Sequence, residues 1–165
     1  MNFTIRLVRL DELDAILEVY RQCEDFLALG PVAQASIEMV RKDIEGAWAE
    51  GRQYCGIYDP ESHLMGVLDY LPSGFEGDPR RAFIELLMIA APYRQLGLGS
   101  EVVHWVEQQV AENPQVSSIS LGTQVNNPAA IRFWKRNGYN IIRGPELQSD
   151  STIAYRLEKA ILRTP

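Results

Sequence analysis

Residue types able to do chemistry concentrate in Phe83–Ser100, which reads FIELLMIAAPYRQLGLGS. Glu85 is a carboxylate inside an otherwise apolar run, and charged side chains seldom interrupt a buried strand. Such a group can accept a proton, directly or through a water. A salt bridge to Arg81 or Arg6 would account for it equally well. Strand alternation puts Glu85 on the same face as Leu87 and Ile89. The run then enters a turn containing Gly97 and Gly99, and a helix is expected to start there. Glycines let a backbone approach an anion closely, and the first N–H groups of a helix point at it. The backbone of Gln95, Leu96, Gly97, Leu98, Gly99 and Ser100 is therefore a candidate phosphate cradle. Arg94 either adds charge at its rim or is a solvated surface arginine.

Three phosphate-bearing groups compete for such a turn. A nucleotide triphosphate loop needs a lysine and a hydroxyl after the second glycine, but Ser100-Glu101 follows Gly99. A dinucleotide fingerprint needs a third small residue, where Val102 stands. It also wants an acid at the end of the next strand, and Ser117–Thr123 has none. Three strands precede the one that enters the turn, whereas a dinucleotide fold usually starts with it.

The elements that must carry these residues follow from periodicity and punctuation. Phe3–Val8 alternates as a first strand, Asp11 is expected to cap a helix, and Leu13, Ile16, Leu17 and Tyr20 give that helix its apolar face to about Glu24. Asp25–Ala35 holds Gly30-Pro31 and is expected to be irregular. Ser36 can cap a second helix with Ile37, Val40, Ile44 and Trp48 on one face. Gln53–Tyr58 and Leu64–Leu71 are expected to form a hairpin through Asp59-Pro60-Glu61-Ser62, and Arg81–Ile89 completes a meander after the loop Pro72–Pro79. The helix after the glycine turn runs to about Asn113. Ser117–Thr123 is a strand, Asn127-Pro128 starts another helix, and Asn137-Gly138 ends it. Tyr139–Ile142 and Thr152–Leu157 are strands, with Gly144–Ser151 a loop. The order β-α-α-β-β-β-α-β-α-β-β describes one α/β domain over 1–165 with a mixed sheet.

With 165 residues and a net charge of −6, nonspecific nucleic-acid binding is not expected. Cys23 and Cys55 form no CxxC pair, and His63 and His104 have no metal-ligand spacing, so no metal is expected. A reducing, cytoplasmic setting is the natural one for these thiols. No apolar run reaches membrane-spanning length, and Met1–Leu10 does not have the form of a signal peptide.

Arg94-Gln95-Leu96-Gly97-Leu98-Gly99 matches R/Q-x-x-G-x-G/A and resembles the acyl-coenzyme A signature of the GNAT superfamily of N-acetyltransferases. Asn127–Tyr139, NPAAIRFWKRNGY, is similar to that family's second block, a helix followed by Gly-aromatic. The order of elements follows the family over nearly the whole chain. The resemblance implies a single-domain GNAT-like fold and acetyl-CoA as cosubstrate, with direct attack by an amine in a ternary complex. It implies that Leu87 and Ile89 offer main-chain groups to the pantetheine arm and the thioester carbonyl. The Ile89 N–H is then the oxyanion donor and Glu85 the nominated base.

Asn127 and Trp134 join the cofactor-binding set by the same resemblance, although Asn127 has an equal reason to exist as a helix cap. Many members carry a tyrosine at the place of Trp134 to protonate the leaving thiolate, and an indole N–H cannot do so. A thiol with a pKa of about 8.5 leaves tolerably without an acid. By family analogy the first two helices and the loop Pro72–Pro79 build the acceptor site, with Glu24, Asp25, Phe26 and Asp69 as candidate contacts. Each of these also reads as an ordinary surface or packing residue. The acceptor is expected to be a small-molecule amine or a peptide N-terminus, and the family often forms homodimers. A cofactor-binding module of the same fold without activity is the alternative, encouraged by Trp134.

Overall fold

The computed structural model describes residues 1–163. Its strands are β1 (Thr4–Leu7), β2 (Gln53–Tyr58), β3 (Leu64–Leu71), β4 (Arg81–Ile89), β5 (Ser118–Gln124), β6 (Asn140–Leu147) and β7 (Ile153–Ala160). Its helices are α1 (Leu13–Gln22), α2 (Glu24–Leu27), α3 (Ile37–Ala49), α4 (Leu98–Ala111) and α5 (Pro128–Arg136). The strands follow the order β1-β2-β3-β4-β5-β7-β6 in a mixed sheet, since β4 runs parallel to β5 while β1–β2, β2–β3, β5–β7 and β6–β7 are antiparallel. The mixed α/β sheet and the placing of its strands along the chain are as expected from the sequence, with the short α2 as an additional helix. No helix among the described residues is long and apolar enough to cross a membrane.

Two compact units are distinguished along the chain. The first comprises Met1–Tyr70 and Leu86–Gly99. Its core takes Ile16, Leu17 and Tyr20 from α1 and Val40, Ile44 and Ala47 from α3, with Tyr54, Val67 and Met88 from the strands. Residues recurring every three or four positions bury one stripe of each helix. Full burial of an isoleucine such as Ile16 or Ile44, both 0 % exposed, contributes about 1.5–3 kcal/mol. Trp48, expected on the buried stripe of α3, is 45 % exposed, and Ala47 takes the inward position. Ser36 caps α3 by accepting from the Met39 N–H at 3.1 Å. The β2–β3 hairpin turns on Asp59, whose Oδ1 accepts from the N–H groups of Glu61 and His63.

Three local expectations for this unit are corrected. Asp11 does not cap the first helix. Instead a 3-10 turn over Leu10–Glu12 precedes α1, and the Glu12 carboxylate accepts from the Arg9 N–H at 2.7 Å. That bond satisfies an N–H at the helix entry from within the chain's own first turn. Second, α1 stops at Gln22. Third, the stretch expected to be irregular from Asp25 opens inside a short helix, α2.

The second unit comprises Leu71–Glu85 and the chain from Ser100 onward. Val102, Val103, Val106 and Val110 of α4, Ile119 and Leu121 of β5, and Leu157 of β7 are all buried. The β4–β5 ladder sets Arg81 beside Ser118 and Ile84 beside Leu121. Phe75 stacks on Phe83 at 4.0 Å, with the Arg156 guanidinium over both rings. Tyr139, expected to begin a strand, precedes β6 and is fully buried. β6 continues through Gly144-Pro145, where a loop was expected, to Leu147. All its residues are exposed, so the punctuation signal of Gly-Pro marked an edge strand and not a loop.

Candidate active site

The second half of β4 belongs to the first unit and is set by its neighbour β3. A side chain at Gly66 of β3 would collide with the Met88 carbonyl oxygen, so only glycine lets the chain come this close. Just beyond β4, the Ala90 N–H donates to the Met65 carbonyl at 2.8 Å. Alternation along β4 buries Ala82, Ile84 and Met88, while Leu87 and Ile89 are half-buried and Glu85 is exposed on the other face. Arg81 lies near Glu76 and Asp78, and Arg6 binds Glu12.

From Ile89 the chain passes through a 3-10 turn at Ala91–Tyr93 into the glycine turn. Gln95 and Gly97 both adopt positive φ, 61° and 84°, and α4 begins at Leu98. A side chain at Gly97 would meet no other atom, yet its φ favours glycine all the same. Gln95, Leu96, Gly97 and Ser100 are exposed, while Leu98 is buried and anchors the turn. An exposed, tightly curved backbone leading into a 14-residue helix suits a phosphate group, since the helix N-terminus adds partial positive charge and free N–H groups.

Arg94 is placed differently from a rim charge. Its Nε donates to the Ile89 carbonyl at 2.9 Å, and one terminal nitrogen donates to the Gln22 carbonyl at 3.0 Å and to Cys23 Sγ at 3.2 Å. Both oxygens of Asp25 accept from its guanidinium. Cys23 is buried, and burial raises its thiol pKa against the opposing pull of Arg94, so the sulfur is a thiol that packs and bonds. Burial raises the Asp25 carboxyl, but the bonds and charge of Arg94 outweigh this and the net shift is downward. The Ala91 N–H donates to Gln22 Oε1 at 3.1 Å. Gln22 and Cys23, at the end of α1, are thus site-shaping residues that the sequence reading passed over. They meet Arg94 from about 70 positions away, and no local pattern announces such a contact.

Among the expected acceptor contacts, Glu24, Asp25 and Phe26 lie on α2, with Phe26 packed against the core of the first unit. Asp69 is 2 % exposed and both its oxygens accept from Arg52 Nε, at 3.0 and 3.1 Å. That charge is matched inside the fold by Arg52. In the second unit, Asn127 Oδ1 accepts from the Ala130 N–H at 3.1 Å, which makes it the N-cap of α5. Trp134 is buried, edge-on to Tyr139 with centroids 5.3 Å apart. Its surroundings are those of a packing residue. Tyr139 itself donates to Glu107 at 3.3 Å, and burial pushes its phenol well above the ordinary range.

The chain is 32 % identical over 88 residues to the probable N-acetyltransferase san of Drosophila melanogaster, a match covering 52 % of this chain and 48 % of that protein. The chain thus spans about half the length of that relative. An acetyltransferase from Thermus thermophilus superposes with a TM-score of 0.80 at 17 % identity, covering 97 % of each chain. A spermidine N-acetyltransferase from Vibrio cholerae, in complex with CoA and spermine, superposes with a TM-score of 0.71 at 13 % identity, covering 96 % of this chain and 95 % of that one. At these identities the two structures speak for the fold. Residues 13–139 match the family described as Acetyltransferase (GNAT) family, and the chain belongs to that family.

Proposed function

We propose that this protein transfers an acetyl group from acetyl-CoA to a primary amine by direct attack, without an acetylated enzyme intermediate. The observation that carries the reading is the exposed turn Gln95–Ser100, curled by positive φ at Gln95 and Gly97 and leading into α4. Its N–H groups hold the pyrophosphate. The main-chain groups of Leu87 and Ile89 align the pantetheine arm. Acetyl-CoA brings an activated thioester, and the chain has to supply position, an N–H for developing negative charge and a proton acceptor. The Ile89 N–H serves as that donor. Glu85, exposed on the same face of β4, takes the proton of the amine directly or through water. Relatives support either acceptor class: an N-alpha-acetyltransferase 50 of Danio rerio is 33 % identical over 63 residues, and the spermidine enzyme is a fold neighbour. The free, buried thiols of Cys23 and Cys55 fit a reducing cytoplasm.

Thiol release from acetyl-CoA over a panel of polyamines, amino acids and peptide N-termini tests the reading. Turnover with at least one amine is expected. Glu85→Gln should lower kcat by about 100-fold, within the range for a positioned proton acceptor. A full rate in Glu85→Gln across pH removes that residue from the mechanism. The second reading, a CoA-binding module without activity, is favoured by the buried Trp134 where many members have a tyrosine. Thermal stabilisation by CoA with no thiol release across the panel would select it.

A further inference from the structure

We infer that Arg94 is a positioning residue for the strand that carries the chemistry, and not a ligand of the cofactor's phosphates. The inference rests on the proposed acetyl transfer. A guanidinium has five N–H donors. Here Nε is spent on the Ile89 carbonyl, one terminal nitrogen on Gln22 O, Cys23 Sγ and Asp25 Oδ1, and the other on Asp25 Oδ2. Four of the five N–H donors point into that set, so a phosphate could take more than the one remaining hydrogen of the second terminal nitrogen only by breaking it.

The target of Nε explains why the set matters. The peptide joining Ile89 to Ala90 is held on both edges: its oxygen by Arg94 at 2.9 Å and by Cys23 Sγ at 3.5 Å, its N–H by the Met65 carbonyl at 2.8 Å. The following N–H, of Ala91, is held by Gln22 Oε1. Holding this peptide at both edges narrows the backbone rotation open to Ile89, and so limits how far the Ile89 N–H, on the preceding peptide, can swing. The other end of the clamp is the α1–α2 junction. The Gln22 carbonyl is among those that the end of α1 leaves without a helical partner, and Arg94 satisfies it. Asp25, at the start of α2, neutralises the guanidinium there. Arg94 therefore locks the oxyanion donor to the helix junction that bears the acceptor contacts Glu24 and Phe26.

The test compares Arg94→Gln, which keeps a neutral donor, and Arg94→Lys, which keeps charge without the fork. Donors are acetyl-CoA and S-acetylpantetheine, which lacks the pyrophosphate. A misplaced donor costs on the order of 100-fold, and kcat/KM in Arg94→Lys should fall by that factor with both donors alike. Affinity for CoA should be unchanged, and Arg94→Gln should recover part of the rate. Hydrogen exchange of the Ala90 amide should accelerate in the lysine variant. The inference is overturned if CoA binding weakens while the S-acetylpantetheine rate holds, since that is the signature of a phosphate ligand. It is overturned equally if both rates and the Ala90 exchange match wild type. Wild-type protein that turns over neither donor sinks the transfer reading instead, and the exchange measurement alone then decides whether Arg94 clamps the strand.

Discussion

Arg52 and Arg94 each hold an aspartate, in opposite surroundings. The Arg52–Asp69 pair is 3.0 Å apart with side chains 12 % and 3 % exposed. The Arg94–Asp25 pair is 3.1 Å apart with side chains 33 % and 69 % exposed. In the first case both charges have largely left water and depend on their pairing, with Arg52 also reaching the exposed Glu50 carboxylate. In the second, water screens the pair and its direct worth is small. What Arg94 contributes lies in the carbonyls it also reaches. Distance alone does not separate the two arginines; burial and the remaining partners do.

The largest effect should come from Asp69→Ala, which leaves Arg52 buried without that carboxylate. A loss of about 3–5 kcal/mol is expected in urea unfolding. A loss under about 1 kcal/mol would erase the contrast between the pairs. If the remaining folded enzyme also showed a raised KM for the amine, Asp69 would regain its place as an acceptor contact.

A third pair, Arg6–Glu12 at 2.7 Å, has intermediate exposure of 38 % and 14 %. The Arg6 hydrogen bond outweighs burial and, with the Arg9 N–H and the Tyr58 hydroxyl, holds the Glu12 carboxyl down from 4.5 to about 2. A lowered carboxyl binds fewer protons folded than unfolded, so its contribution is complete above pH 4.5 and is lost as pH falls toward 2. Glu12→Gln should flatten the acid limb of a stability–pH curve by up to about 3 kcal/mol. An unchanged limb would show the pair to be no stronger than an exposed one.

Asp25→Asn should matter least. The expected cost is below about 1 kcal/mol, with thiol release close to wild type, because the bonds from Arg94 to Ile89 and Gln22 survive. A large fall in rate here would move the weight of the clamp from the carbonyls to the carboxylate.

Much of the frame was legible. β2, β3 and β4 begin and end where their apolar runs and the turn chemistry put them: β2 and β3 are buried nearly throughout, and Asp59 turns the hairpin between them. Asn127 before Pro128 foretold a capped α5 for the same local reason. The turn at Gly97 was legible from composition, although positive φ at Gln95 was not, since glutamine carries no signal for it. The Arg94 network was out of reach: its partners lie in Gln22–Asp25, 69 or more positions earlier, and an arginine beside a glycine turn looks the same whether it faces phosphate or its own chain. Asp69 was opaque for a similar reason. An acid in an apolar strand invites a catalytic or ligand role until its buried arginine is seen.

Pro145 sits within β6, the last strand of the sheet, whose residues are exposed throughout. An unpaired sheet edge is a template on which another chain could add a strand. Proline has no N–H to offer, so a ladder started at Ile141 or Leu147 loses a rung at this position. Pro145 thus withholds one donor from a strand that also exposes Ile142 and Leu147, which makes β6 a poorer template for an added strand.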